Sequence, residues 1–273
     1  MILSYHPCYV GDENRLCAGR NPDDTDAAAM KKAAAVILPQ GCIRPLFEMA
    51  TANCPHVFPD YTLRFRFPGK IGQATLFRKY GLPHPETMTF TSVDHLSGSS
   101  GVPYDYPFVF KFSWSGEGDN VWLVNHPEEF ERLVRKAALF ESTGQKGFLI
   151  QEHIETGGRS LRVVVINDTC LSYWRVQPDP GIFIAQSAQG ALLDHDADRT
   201  LQESARKTVM DFCRKTGINL AGFDMLFSAA VSDPTPLFLE INYYFGRKGL
   251  GGSEPFYRLL CGEIDHWLSQ REL

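Results

Sequence analysis

The chain has 273 residues, 44% of them apolar and 12% aromatic, enough for one large core or two to three modest ones. A formal charge of −5, without any basic run or basic half, excludes general affinity for nucleic acid or anionic lipid. The longest apolar stretches, such as 161–166, are strand-sized, and Met1-Ile2-Leu3-Ser4-Tyr5 has neither a basic start nor a cleavable apolar region, so a cytoplasmic protein with no membrane partner is expected.

In chain order, the first third reads as a small α/β unit. Short buried strands are expected over 2–5 and 34–38, separated by a helix that Asp23, Asp24, Thr25 and Asp26 cap and charge ahead of Ala27-Ala28-Ala29-Met30. A second helix is expected over 43–52 and a third strand at Val57-Phe58. Pro68-Gly69 then punctuates the chain. The segment 70–80 reads as a helix stopped by Gly81, with Pro83 and Pro85 barring its continuation, and the first domain boundary falls here. The seven cysteines are an odd, scattered set without C-x-x-C spacing, which reads as reduced and structural. His6, Cys8, Cys54 and His56 match no closed zinc pattern, and no H-E-x-x-H pair or nucleophile elbow supports hydrolase chemistry.

From Thr87 onward, strands interleave with two helices. Pro107-Phe108-Val109-Phe110-Lys111-Phe112 and Val121-Trp122-Leu123-Val124 are β-rich runs flanking a glycine-containing loop over 113–120. Pro127 opens a helix over 128–140 whose Phe130, Leu133, Val134 and Ala137 recur on one face. Further strands are expected over 148–151, 161–166 and 170–176, and a helix over 201–216 ending at Gly217. Asn167-Asp168 between two strands is a hairpin signal, so part of this sheet is antiparallel. Two small α+β lobes result.

The chemistry concentrates at strand ends. Asp224 in Gly222-Phe223-Asp224, with Glu240 and Asn242 in Leu239-Glu240-Ile241-Asn242, supplies two carboxylates and an amide oxygen, the donors that Mg²⁺ takes beside nucleotide phosphates. Lys111 at a strand end lowers the potential where phosphates would lie, and the glycines after it let backbone N–H groups approach phosphate oxygens. Gly116-x-Gly118 is neither a Walker loop nor a dinucleotide fingerprint, so an NAD-dependent dehydrogenase lacks its glycine signature. Each residue also has a plainer reading: Lys111 as a solvated strand end, Glu240 as a capping acid, Arg162 and Arg175 as surface partners of Glu155 or Asp168.

The order of these parts carries more than any one of them. Lys111 with its loop, then Leu149-Ile150-Gln151-Glu152-His153-Ile154, Leu161-Arg162-Val163-Val164-Val165, Ala221-Gly222-Phe223-Asp224 and Leu239-Glu240-Ile241-Asn242 together resemble the ATP-grasp superfamily, closest to its RimK-type branch of amino-acid ligases, with glutathione synthetase more distant. The likeness covers about 68–250. It implies the α+β ATP-grasp fold, two lobes clamping ATP, preceded by a short α/β pre-ATP-grasp domain: 1–67, then a lobe over 68–151 with the phosphate loop, then 152–273 with the Mg site. It also implies that Lys111, Lys70, Ser113, Ser115, Gly116, Gly118 and Ser160 bind the nucleotide. Gln151, Glu152, His153 and Ile154 would form the interlobe hinge that reads adenine. Asp224, Glu240 and Asn242 match the family's Mg²⁺ ligands, and Arg162 and Arg175 its basic positions near the acyl intermediate.

Three departures bear on substrate. Ser160 stands where the family commonly has a ribose-binding acid, leaving that contact to Glu155 or to a looser site. An Asn-rich stretch is replaced by Ile184-Ala185-Gln186-Ser187-Ala188-Gln189-Gly190. The small-residue turn after the metal-binding Asn becomes Tyr243-Tyr244-Phe245-Gly246-Arg247-Lys248, whose cations could clamp a carboxylate and whose tyrosines could stack on a planar group or close the core. The resemblance implies ATP-dependent ligation of a small-molecule or peptide carboxylate to an amine, less readily to a thiol, with ADP-forming turnover; an ATP-binding module without turnover is the alternative. The apolar face Phe256, Leu259, Leu260, Ile264, Trp267 and Leu268 belongs to a tail helix that either packs back on the protein or joins a homodimer.

Overall fold

Three sheets organise the chain in a computed structural model that describes residues 1–97, 104–114, 120–179, 183 and 190–273. The first contains β1 (Ile2–Ser4), β2 (Glu13–Asn14), β3 (Ala35–Ile37) and β4 (Val57–Phe58), all parallel in the order β2-β1-β3-β4. Parallel neighbours need crossovers; α1 (Asp24–Lys32) lies on the one into β3 and α2 (Arg44–Asn53) on the one into β4, while residues 5–12 alone join β1 to β2. Asp23 caps α1 as expected: its carboxylate accepts from the N–H groups of Thr25 and Asp26, and the Asp26 side chain returns the bond to the cap backbone. His6 and Cys8 follow β1 while Cys54 and His56 precede β4, which puts the two pairs at opposite ends of the parallel sheet.

After α3 (Thr62–Arg66) and α4 (Gly69–Lys79) comes an antiparallel sheet, β5 (Thr87–Phe90), β6 (Phe108–Phe112), β7 (Val121–Val124) and β8 (Phe148–Glu152), in the order β5-β8-β6-β7. Its core is aromatic: Phe108, Phe110, Phe112 and Phe148 are buried, and the rings of Phe110 and Phe148 stack at 5.0 Å. The short helix α5 (Val93–Ser97) follows β5, while α6 (Pro127–Ser142) buries Leu133 and Ala137 in that core, the face its spacing foretold.

The third sheet is antiparallel, with β9 (Arg159–Ile166), β10 (Thr169–Val176), β11 (Leu192–Asp194), β12 (Leu220–Leu226) and β13 (Leu237–Asn242) in the order β11-β10-β9-β12-β13. Asn167 takes a left-handed φ of 49° in the two-residue turn that pairs Ile166 with Thr169, as the hairpin signal required. Leu161, Val163, Val165 and Phe223 alternate onto one face and pack on α7 (Arg199–Thr216) through Ala205, Val209 and Phe212. That core runs on into the first unit through Leu46 and Phe47 and onto α4 through Leu76 and Phe77.

The final helix, α8 (Ser253–Ser269), joins the two ends of the chain. Its Phe256, Leu260, Ile264 and Trp267 are buried with Ala35, Ile37 and Phe58 of the parallel sheet and with Val164, Ile166 and Tyr173 of the third sheet. The apolar face therefore packs back on the protein and is not available to a second copy. Trp267 is 4% exposed and its ring lies 5.5 Å from that of Phe58. Trp267→Ala is expected to lower the unfolding free energy by about 3–5 kcal/mol, read from urea denaturation; a loss below about 1 kcal/mol would remove α8 from the core. Among the described residues no helix is long and apolar enough to cross a membrane.

Candidate active site

One face of the third sheet changes character along its strands. Toward the Asn167-Asp168 turn and α8 it is apolar, with Val164, Ile166 and Tyr173; at the other end Ser160, Arg162, Arg175, Asp224, Glu240 and Asn242 occupy the same face. Register explains the grouping. Asp224 stands directly opposite Arg162 on β9 and opposite Glu240 on β13, while Gly222 stands opposite Asn242. A bulge interrupts the β12–β13 ladder, where Asp224 pairs with Glu240 but Met225 pairs with Phe238. Leu239 is the extra residue, so it and Glu240 both line the cleft although they are adjacent in sequence.

Asp224 is saturated with donors. Arg162 Nε reaches Oδ1 at 2.6 Å and Arg175 reaches the same oxygen at 2.8 Å. A second Arg162 nitrogen and Asn242 Nδ2 each lie 3.2 Å from Oδ2. Burial alone would raise the carboxyl pKa; the two guanidinium groups more than offset it and hold the group below the usual carboxylate range. Gly222 makes room for this arrangement, since a Cβ there would stand 2.9 Å from an Arg162 guanidinium nitrogen. The surface-partner reading of Arg162 and Arg175 is thereby corrected: both are buried, and neither is paired with Glu155 or Asp168. Arg175 Nε also donates to Ser160 Oγ at 3.2 Å.

The opposite wall belongs to the second sheet and α4. Lys111 Nζ donates to Gln151 Oε1 at 2.6 Å, and Gln151 Nε2 donates in turn to Thr87 Oγ1 at 2.8 Å, which fixes the lysine across three strands. Burial lowers the Lys111 pKa to about 8, with Glu240 opposing that shift and Lys70 adding to it. Lys70 is lowered by the same burial and also opposed by Glu240. Glu240 is raised, again by burial first, against the pull of both lysines. Lys111 is thus not a solvated strand end, and Glu240 lies in β13 rather than capping a helix.

Between the walls lies a cleft of about 810 Å³, in the range of small-molecule sites. Lys70, Lys111, Gln151, Ser160, Arg175, Asp224 and Glu240 border it, with Glu152, His153 and Ile154 at the end of β8. Arg162 and Asn242 bind the Asp224 carboxylate from behind and beside. Val109, Val121, Leu226 and Leu239 give it an apolar part, and the Phe183 ring lies 5.5 Å from that of His153. Ser113 is turned out of this set: its hydroxyl donates to the Lys146 carbonyl at 3.0 Å, and its own carbonyl accepts the Lys70 N–H at 3.3 Å. Ser115, Gly116 and Gly118 lie outside the described residues, as does 184–189. Glu155 folds onto the Gly157 N–H at 2.9 Å.

The sequence reading missed Gln73 as a clamp. Its amide donates to the Ile241 carbonyl and accepts from the Ile241 N–H, both at 2.8 Å, tying α4 to the strand that carries Glu240 and Asn242. Its spacing from Lys70, one helical turn, was the available signal. The third-sheet bulge and Phe183 left no comparable mark.

Two α+β lobes facing each other across a charged cleft define a nucleotide-clamping class of protein. The RimK-like ATP-grasp domain model matches residues 70–253, more than half of the chain, and the chain belongs to that family. A probable alpha-L-glutamate ligase 1 of Hahella chejuensis is 25% identical over 182 residues, 66% of this chain and 56% of that protein. The chain thus spans little more than half the length of this curated relative. A RimK domain ATP-grasp protein from Sphaerobacter thermophilus aligns with a TM-score of 0.66 at 13% identity, covering 96% of this chain and 98% of that one. D-alanine–D-alanine ligase from Bacillus anthracis, solved with ATP, aligns with a TM-score of 0.60 at 12% identity, covering 94% and 86%. These structures share the ATP-grasp fold.

Proposed function

We propose that this chain is an ATP- and Mg²⁺-dependent ligase that joins a carboxylate to an amine through an acylphosphate, releasing ADP. The observation that carries the reading is the cleft itself, where half-buried Lys70 and Lys111 confront Glu240 and the arginine-bound Asp224. The names of the relatives, a glutamate ligase and a D-alanine–D-alanine ligase, belong to proteins that join amino acids, and they support the same chemistry. The reading keeps 1–67 as the pre-ATP-grasp domain and 68–151 and 152–273 as the clamping lobes, in a cytoplasmic protein.

The oxygen donors fit a hard cation. Glu240 and Asn242 share one face, and the Asn242 amide gives its N–H to Asp224, leaving Oδ1 as a donor atom. Mg²⁺ held by Glu240 and Asn242, and by Asp224 only where it exchanges one of its four donors for the metal, would supply charge neutralisation at the phosphates. The chain's own groups do the rest. Lys70 and Lys111 hold the phosphates for in-line attack by the substrate carboxylate. Arg162 and Arg175, fixed by Asp224, stabilise the acylphosphate oxygens until the amine attacks carbon and phosphate departs. The end of β8, through Glu152, His153 and Ile154, reads the adenine edge, with Val109, Leu226 and Leu239 against its faces. Ser160 lines the ribose end.

The test is ADP release from Mg·ATP across a panel of amino acids, peptides and other carboxylates. Stimulated release with amide product supports the reading; nucleotide binding without any stimulated release would leave only a binding module. Nucleotide affinity should also depend on pH with a defined sign. The free-protein Lys111 pKa of about 8 means that the ammonium is present below that value and lost above it. Binding a polyphosphate must recharge the lysine, so affinity for Mg·ADP should fall above pH 8 by up to about tenfold per unit. Titration calorimetry between pH 7 and 9.5 reads this. Lys111→Met should bind weakly at every pH and show no such slope.

A further inference from the structure

The parallel sheet separates Cys8 from Cys54 and His56 and sets it against the last helix instead. Cys261 Sγ, on α8, donates to the Cys8 carbonyl at 3.1 Å. Among the described residues this is the only hydrogen bond that joins one cysteine to another: Cys17 donates to the Arg20 carbonyl, and Cys54 to those of Ala33 and His56. Cys42, Cys54 and Cys213 are buried, whereas Cys8 is exposed and Cys261 half-buried. The contacting pair is thus open to reagents from solvent.

The contact belongs to a continuous seam. Tyr257, Cys261 and Asp265 follow one another at helical spacing and share one stripe of α8, and the loop after β1 lies along it. The His6 and Tyr257 rings meet edge to face at 5.9 Å, and the Tyr257 hydroxyl adjoins the Cys8 side chain. One turn further on, the Tyr9 hydroxyl donates to Asp265 Oδ1 at 2.8 Å. The loop is itself tied down: Ser4 Oγ donates to the Tyr9 carbonyl at 2.8 Å, and the Cys8 N–H donates to His6 Nδ1 at 3.1 Å. Cys8 is therefore held over α8 from both sides.

A sulfur 3.1 Å from a carbonyl oxygen lies within about 5.5 Å of the Cα of that residue. The Cys8 sulfur hangs from the same Cα on an exposed side chain, which can turn about χ1 toward α8. A bridge asks for an S–S bond of about 2 Å, so closure takes a rotamer change and a small shift of the loop. The two thiols also differ in role. Burial pushes the Cys261 thiol up, with Asp265 adding to the shift, so exposed Cys8 meets an oxidant first and Cys261 is the thiol that resolves it.

We propose that Cys8 and Cys261 are a site of reversible oxidative cross-linking, a disulfide that locks α8 over the first sheet when a hydroperoxide reaches the loop after β1. With hydrogen peroxide, the Cys8 thiolate takes one oxygen, the O–O bond breaks and hydroxide leaves. The Cys261 thiolate then attacks the Cys8 sulfur; the S–S bond forms, the S–O bond breaks and a second hydroxide leaves. The two thiol protons turn both hydroxides into water, so two thiols are oxidised and one peroxide is reduced. The partners stand 253 positions apart in sequence, and a ring of that size removes much of the freedom of the unfolded chain. None of this depends on the ligase reading.

The experiment treats the reduced full chain with a slight excess of hydrogen peroxide and maps it by mass spectrometry without reduction. The intact mass should fall by two hydrogens, the thiols titrated in denaturant should drop from seven to five, and one peptide pair should join Cys8 to Cys261. Dithiothreitol should reverse all three. Cys8→Ser and Cys261→Ser should each abolish the cross-link, and Cys17→Ser should leave it intact. The bridged chain should melt about 5 °C or more above the reduced one, a shift that peroxide does not produce in Cys8→Ser. A different cysteine pair, a bridge between two copies of the chain, or oxygen added to Cys8 while Cys261 stays a thiol overturns the proposal. So does the expected bridge with an unchanged melting temperature, since α8 would then not be locked. The peptide map is read on the native sequence, so no variant has to fold for the cross-link to be detected.

Discussion

Asp224→Ala should cost about 3–5 kcal/mol of stability, among the largest effects of any single substitution in this chain, because it leaves two largely buried guanidinium groups without their carboxylate. The side chains of Arg162 and Arg175 are 10% and 9% exposed, and both depend on the same carboxylate. Glu240 is the one further acid whose charge reaches Arg162, and among the described residues the other contact of Arg175, Ser160, is neutral. Urea denaturation of the variant checks this, and a loss below about 1 kcal/mol would mean that the arginines reach solvent. Nucleotide binding should suffer along with stability, since the phosphate wall would lose its shape.

Glu240→Ala should behave in the opposite way. Burial raises the Glu240 pKa, so its ionised form at neutral pH costs the folded state free energy rather than contributing any, and removing it should leave the denaturation midpoint close to that of the native chain. ADP formation, by contrast, should on the proposed ligase reading fall by a factor on the order of 10³ or more, because the proposed metal would lose an oxygen ligand and Lys70 and Lys111 the charge opposing them. Measuring both quantities in one preparation is decisive. Full turnover in Glu240→Ala would sink the site; loss of turnover accompanied by unfolding would make Glu240 a structural residue. Two acids that face each other across one ladder thus separate into a support and a working group.

Much of this was legible before any coordinates. The strand-sized apolar run 161–166, the Asn167-Asp168 turn and the aspartates before α1 each encode local structure, because the physics that decides them acts within a few residues. The candidate ligands were legible for a different reason, the ordered succession of strand-end motifs. What could not be read is non-local. Two-residue β2 and five-residue α3 are too short to show a period. A strict alternation through Leu239, Glu240, Ile241 and Asn242 would have turned Leu239 away from the cleft; the bulge turns it in. The pairing of Arg162 with Asp224 follows from β9 lying beside β12, a neighbour relation between segments far apart in the chain. Ser113 looked like a phosphate contact because of its loop, but Lys146 and the start of α4 claim its polar groups.

The placement of α8 has a consequence for biosynthesis. Ala35, Ile37 and Phe58 leave the ribosome long before residues 253–269, the helix that shields them from water. Until residues 253–269 appear, the nascent chain carries an uncovered apolar sheet with two open edges, the kind of surface that recruits chaperones or sticks to its neighbours. The second sheet has no such debt, since its core is drawn entirely from 88–150. The second sheet can therefore settle before the first, which is completed only by α8.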